Sequence, residues 1–91
     1  MEMDFYLLVF KNTTDALKGE EEFKQRRIEH AVYPTPPQIL GSCGISLRFT
    51  EGELKAVYDV LSHGIAYKAL YKISKINIIK IKEQDESDQR V

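Results

Sequence analysis

The chain carries a single cysteine, Cys43, inside Gly41-Ser42-Cys43-Gly44 and just past Pro34-Thr35-Pro36-Pro37. A cysteine used for packing usually lies within an apolar run, whereas a glycine-flanked thiol can reach solvent and meet open backbone N–H groups. Glycine adopts backbone conformations closed to other residues. Successive N–H groups in such a turn can converge on an anion, including the thiolate that is the nucleophilic form of cysteine. The residue types therefore point to sulfur chemistry at an exposed Cys43, supported by Gly41, Ser42 and Gly44. Ser42 offers a hydroxyl. Arg48 is the nearest downstream cation, about 16 Å away along an extended chain, and it supports the thiolate only if the loop folds back. The plain alternative is a connecting loop whose thiol has no task.

The rest of the inventory narrows the chemistry. One cysteine cannot form an internal disulfide, and with two histidines it does not complete a standard structural zinc site. A nucleophilic pair of Cys43 with His63 would need spatial contact and a third, orienting group; the other imidazole is His30. Glu20-Glu21-Glu22 and Lys24, Arg26 and Arg27 read as solvated helix surface. There is no phosphate-loop, dinucleotide or metal signature, so no cofactor is expected. Thirteen Lys and Arg against fourteen Asp and Glu leave a net charge of −1, which argues against nucleic acid and anionic membranes as partners. No apolar run approaches the ~20 residues that span a bilayer, and no basic-then-apolar leader is present. The expectation is a cytoplasmic protein with a reduced thiol.

The elements that must position Cys43 follow from periodicity. Phe5 to Phe10 is a short aromatic-rich apolar run, which predicts a strand covered on both faces. Asn12, Thr13 or Thr14 can cap a helix running to Arg26 or Arg27, with Ala16, Leu17 and Phe23 inward and Gly19 close to the sheet. Residues 28 to 33 predict a second strand, stopped by the prolines. Residues 44 to 49 alternate, with Ile45, Leu47 and Phe49 on one face. Thr50 and Glu53 form a capping-box pair ahead of a helix whose buried stripe is Leu54, Val57, Tyr58 and Leu61. Gly64 ends that helix in the left-handed region, and Ile65 closes the hydrophobic contact beside it. Residues 67 to 73 predict a fourth strand.

The order βαββαβ predicts a ferredoxin-like α+β sandwich, an antiparallel sheet with two helices on one face, over residues 1–73. Residues 74–82 read as an additional C-terminal strand that pairs within the chain or across a homodimer. Residues 83–91 read as a disordered acidic tail.

Several segments together resemble a known family. They are Tyr6 to Phe10, Thr14-Asp15-Ala16-Leu17, the Pro-x-Pro segment, and above all Ser42-Cys43-Gly44-Ile45-Ser46-Leu47-Arg48-Phe49. The chain is similar, over roughly residues 4 to 73, to short bacterial selenium/sulfur carrier-like proteins, long catalogued as a domain of unknown function. The resemblance implies a carrier residue at Cys43 that holds sulfur or selenium as a persulfide or selenosulfide. The partners implied are a chalcogen donor protein and an acceptor protein, and the chain is a carrier rather than a stand-alone catalyst. Members often carry arginine after the Pro-x-Pro segment, where this chain has Gln38. Pro36, Pro37, Gln38, Ile39 and Leu40 form the docking surface that a carrier loop needs, although Ile39 and Leu40 could equally fill a gap in the core. The competing class is a non-catalytic ferredoxin-like module that binds a ligand or protein.

Overall fold

Phe5–Val9 (β1) becomes the central strand because its run of apolar residues can be buried on both faces; Leu7, Leu8 and Val9 have no exposed surface. The computed structural model describes residues 4–39 and 41–84. After β1 come helix Thr13–Gln25 (α1), strands Ala31–Pro34 (β2) and Ile45–Phe49 (β3), a short 3-10 turn at Glu51–Glu53, helix Leu54–Ser62 (α2), and strands Ala69–Ile73 (β4) and Ile78–Glu83 (β5). The sheet order is β2-β3-β1-β4-β5, with every neighbouring pair antiparallel. This is the ferredoxin-like arrangement expected from the sequence, extended by one strand beyond β4. The isoleucine-rich stretch thus pairs within the chain. Residues 85–91 of the expected acidic tail lie outside the described residues, whereas Glu83 closes β5.

The sheet has two different faces. Tyr6, Leu8 and Phe10, with Leu47, Phe49 and Leu70, meet Ala16 and Phe23 of α1 and Val57, Val60 and Leu61 of α2. Leu7 and Val9 face the opposite side, beside Ile39 and the half-buried Phe5, Tyr33, Tyr71, Ile73 and Ile78. No helix among the described residues covers this second face.

Several local expectations are corrected. The contact stripe of α1 is Ala16, Gly19 and Phe23; Leu17, about 100° further round the helix, is 58% exposed. In α2 Val60 takes the buried place expected of Tyr58, which is 38% exposed. The Thr50–Glu53 capping box does not form. Thr50 makes no side-chain cap; instead the Glu53 N–H donates to the Thr50 carbonyl at 3.0 Å, so the tight turn satisfies the backbone itself. Residues 28 to 30 are not strand. Arg27 adopts φ 59°, and the Ile28 N–H donates to the Phe23 carbonyl at 2.9 Å, closing α1 with a Schellman motif built without glycine. Ile28 then enters the core beside Phe23, which explains its apolar character without a strand. Gly64 does end α2 as expected, with φ 95°.

The close approach of α1 to the sheet depends on Gly19. A Cβ there would lie 2.6 Å from two ring atoms of Phe10, a residue with no exposed surface and no room to yield. Alanine gains about 1 kcal/mol of helix propensity over glycine, but overpacking of this kind costs about 1–3 kcal/mol. Gly19→Ala is therefore expected to destabilise the domain, read as a lower midpoint in urea unfolding with an unchanged slope.

Candidate functional site

Cys43 lies where three elements converge. Its N–H donates to the carbonyl of Phe10, just past the end of β1, at 2.8 Å, and its Sγ lies 3.6 Å from Oγ1 of Thr13 in the first turn of α1. Asn12 caps that helix, its Oδ1 accepting from the Asp15 N–H at 2.8 Å. The thiol thus sits beside the positive end of the α1 dipole. On the other side of Cys43, the Thr35 N–H donates to the Gly44 carbonyl at 2.9 Å and ties the two ends of the proline-rich connection together.

The exposed thiol expected from the sequence is not found. Cys43 is 9% exposed and belongs to the core cluster under the helices, with Phe10, Ala16 and Tyr67. The neighbouring glycines do face solvent: Gly41, with φ 68°, and Gly44 are exposed, and nothing lies within 4 Å of a Cβ placed on Gly44. The backbone at the loop end is open, but the Cys43 side chain turns inward. A small, weakly polar thiol fits the seam between α1 and the sheet at little desolvation cost.

The supporting residues also separate. Ser42 Oγ donates to the Ile39 carbonyl at 3.2 Å, so its hydroxyl holds the loop rather than the sulfur. Arg48 is on the wrong face. Ile45, Leu47 and Phe49 turn toward the helices, so Arg48 must point to the opposite side, pairing across from Leu7 and Ala31. Its guanidinium lies 4.1 Å from the ring centroid of Phe5 and 5.5 Å from that of Tyr33. The cation nearest in sequence is therefore not the cation of the thiol.

The expected docking residues divide as well. Pro37 and Gln38 are exposed and Pro36 is half-buried, but Ile39 is only 8% exposed and is seated on Leu7 and Val9. Ile39 fills the core on the uncovered face of the sheet; Leu40 lies outside the described residues. Both imidazoles have other partners. The His30 Nδ1–H donates to the Ile28 carbonyl at 2.8 Å and its Nε2 lies 3.2 Å from Glu20; the exposed His63 ring Nδ1–H donates to the Asp59 carbonyl at 2.8 Å. Among the described residues no group of three His, Cys, Asp or Glu side chains could hold a metal ion, and no helix is long and apolar enough to cross a membrane.

Sequence reasoning misses Thr13 as a partner of the thiol. The capping signal around it is legible, but its contact with a residue thirty positions later exists only in the folded chain. Tyr67, in the same cluster as Cys43, is also altered by folding. Burial, and secondarily the nearby Tyr58, push its hydroxyl above its ordinary value of 10.0. The folded state therefore favours neutral Tyr67. Its contribution is fully present below about pH 10 and is lost as pH rises through the higher folded value. Tyr67→Phe is expected to lessen the loss of stability above about pH 10, measured by urea unfolding across that range.

A family model described as "putative Se/S carrier protein-like" matches residues 5–72, a span holding Cys43, both helices and all of β1, β2 and β3. No curated protein and no solved structure matches the chain. The match covers most of the sequence and agrees with the resemblance carried by Ser42 to Phe49, and the chain belongs to this Se/S carrier protein-like family.

Proposed function

We propose that this protein carries sulfur or selenium between partner proteins on Cys43. The observation that carries the reading is the family match across a segment whose only sulfur nucleophile is Cys43. The Cys43 thiolate attacks the terminal sulfur of a donor persulfide, forming a new S–S bond while the donor S–S bond breaks and the donor thiolate leaves with the electron pair. An acceptor nucleophile then attacks the terminal sulfur held on Cys43, and the Cys43 thiolate departs. No net oxidant or reductant is consumed, and both steps are ordinary thiol–disulfide exchange. Selenium follows the same course as a selenosulfide.

Access is the difficulty that the resting fold sets. Cys43 is nearly covered, so exchange takes place when the chain around it opens locally. The anchors that must yield are the Cys43–Phe10 and Thr35–Gly44 backbone bonds, the Ser42–Ile39 bond, the weak Thr13 contact, and the packing of Cys43 and Ile39. The exposed Pro37 and Gln38 then form part of the surface that a donor or acceptor meets. The outer edge of β5 carries Lys80 and Lys82, which discourage edge pairing; sedimentation at rising concentration tests the expected homodimer through residues 74–82.

The burial of Cys43 favours a second reading, a binding module in which the thiol is a packing residue. Incubation with a cysteine desulfurase and cysteine, followed by intact-mass measurement, separates the two. A gain of one sulfur atom, removed by a reducing thiol, supports the carrier. Unmodified protein under conditions that load a control carrier supports the module.

A further inference from the structure

Arg48 is left without a role at the thiol, and its actual surroundings suggest another. Across the uncovered face of the sheet, Ala31 and Tyr33 of β2, Arg48 of β3, Phe5 of β1, Tyr71 and Ile73 of β4 and Ile78 of β5 lie side by side. Phe5 and Tyr33 meet edge to face at 5.3 Å, and the guanidinium lies over both rings. Stacking restrains the guanidinium, and Arg48 is exposed, so its N–H donors are open to a partner. Among the described residues no carboxylate forms an ion pair with Arg48, although the exposed Glu29, just before β2, lines a hollow with Ala31 and Arg48. Aromatic residues and arginine are enriched at the centre of protein interfaces. The patch continues toward the expected docking segment, since Gln38 shares a hollow with Ile73 and Ile78.

We propose that this face is where the donor or acceptor protein docks, by placing an aspartate or glutamate, flanked by apolar side chains, on the Arg48 fork. A planar carboxylate accepts two parallel hydrogen bonds from a guanidinium held in this way. A second copy of the chain is a poorer occupant, because its own face brings another Arg48 to the centre and its Glu29 stands at the rim, before the edge strand β2. A nucleic acid is disfavoured by the net charge of −1. The inference rests on the carrier reading for the partner's identity, but its test does not involve the thiol.

The test is an amide-shift titration of the full chain with three probes: a capped peptide alternating glutamate and leucine, its lysine–leucine counterpart, and a short oligouridylate. The glutamate peptide is expected to shift Phe5, Tyr33, Arg48 and Tyr71, and to bind about tenfold more weakly to Arg48→Glu. Arg48→Lys, which keeps the charge but not the fork, is expected to recover only part of that loss. Arg48 is exposed, so both variants are expected to fold, and Tyr33→Leu supplies an independent loss of the stack. Binding should fall with added salt. Equal binding of the lysine peptide, stronger binding of the oligouridylate, a dimer dissolved by Arg48→Glu, or shifts indifferent to Arg48 would each overturn the proposal. Sulfur loading of Cys43 with no docking on this face rejects the inference alone; docking without loading rejects the carrier reading alone.

Discussion

Cys43→Ser is expected to abolish the gain of a sulfur atom on exposure to a persulfide donor, because the chain has no other thiol. A serine hydroxyl does not form the covalent intermediate at neutral pH. The variant also places a stronger polar group in the seam between α1 and the sheet, where the thiol's partner is Thr13 Oγ1. An imperfectly bonded buried hydroxyl costs about 1–3 kcal/mol, so serine alone confounds lost chemistry with lost stability. Cys43→Ala removes that ambiguity. It is small and apolar, suits the same cluster, and is expected to keep the fold while losing sulfur loading entirely. Intact mass after incubation with the donor reads the chemistry, and urea unfolding reads the fold. Persistent loading in both variants would sink the assignment of the carrier atom.

Ile39→Ala is expected to have the largest effect on access. Ile39 sits four residues before Cys43 and is seated on Leu7 and Val9, on the face opposite the helices. Truncating a buried isoleucine costs about 2–5 kcal/mol, and a loop site that can partly collapse belongs at the lower end of that range. Ser42 bonds the Ile39 carbonyl, so loosening Ile39 loosens the residue next to the thiol. A loss near 2 kcal/mol, if felt locally, raises the population of open conformers by roughly thirtyfold. The alkylation rate of Cys43 by a neutral maleimide should rise by a comparable factor, well beyond any change in global unfolding at the same denaturant concentration. A rate unchanged in Ile39→Ala would mean that the thiol is reached by a route not governed by that packing, and local opening through Ile39 would be ruled out as the way in.

Legibility follows the range of the physics. The burial of Tyr6 to Phe10, the alternation of Ile45, Leu47 and Phe49, and the left-handed turn at Gly64 are short-range patterns, and the strand–helix order constrains the topology. Sequence reading loses its grip where packing makes the choice between neighbouring residues. Leu17 and Ala16 are both apolar neighbours on a helix, and only the position of the sheet decides which one is buried. Tyr58 and Val60 show the same choice in α2. The end of α1 is hidden from the sequence because a Schellman turn at Arg27 lacks the glycine that usually announces it.

The candidate site divides along the same line. The sequence by itself determined that any thiol chemistry must occur at Cys43, that it lies between a proline-rich connection and a strand, and that the chain belongs with the Se/S carrier-like proteins; these follow from composition, local order and motif. Only the tertiary structure decided that the thiol is covered, that Thr13 is its side-chain neighbour, and that Arg48 serves the other face. The reason is geometric. A strand sends successive side chains to opposite sides. A loop's exposure depends on what it returns to, here the end of β1 and the first turn of α1, which no local pattern around Cys43 encodes.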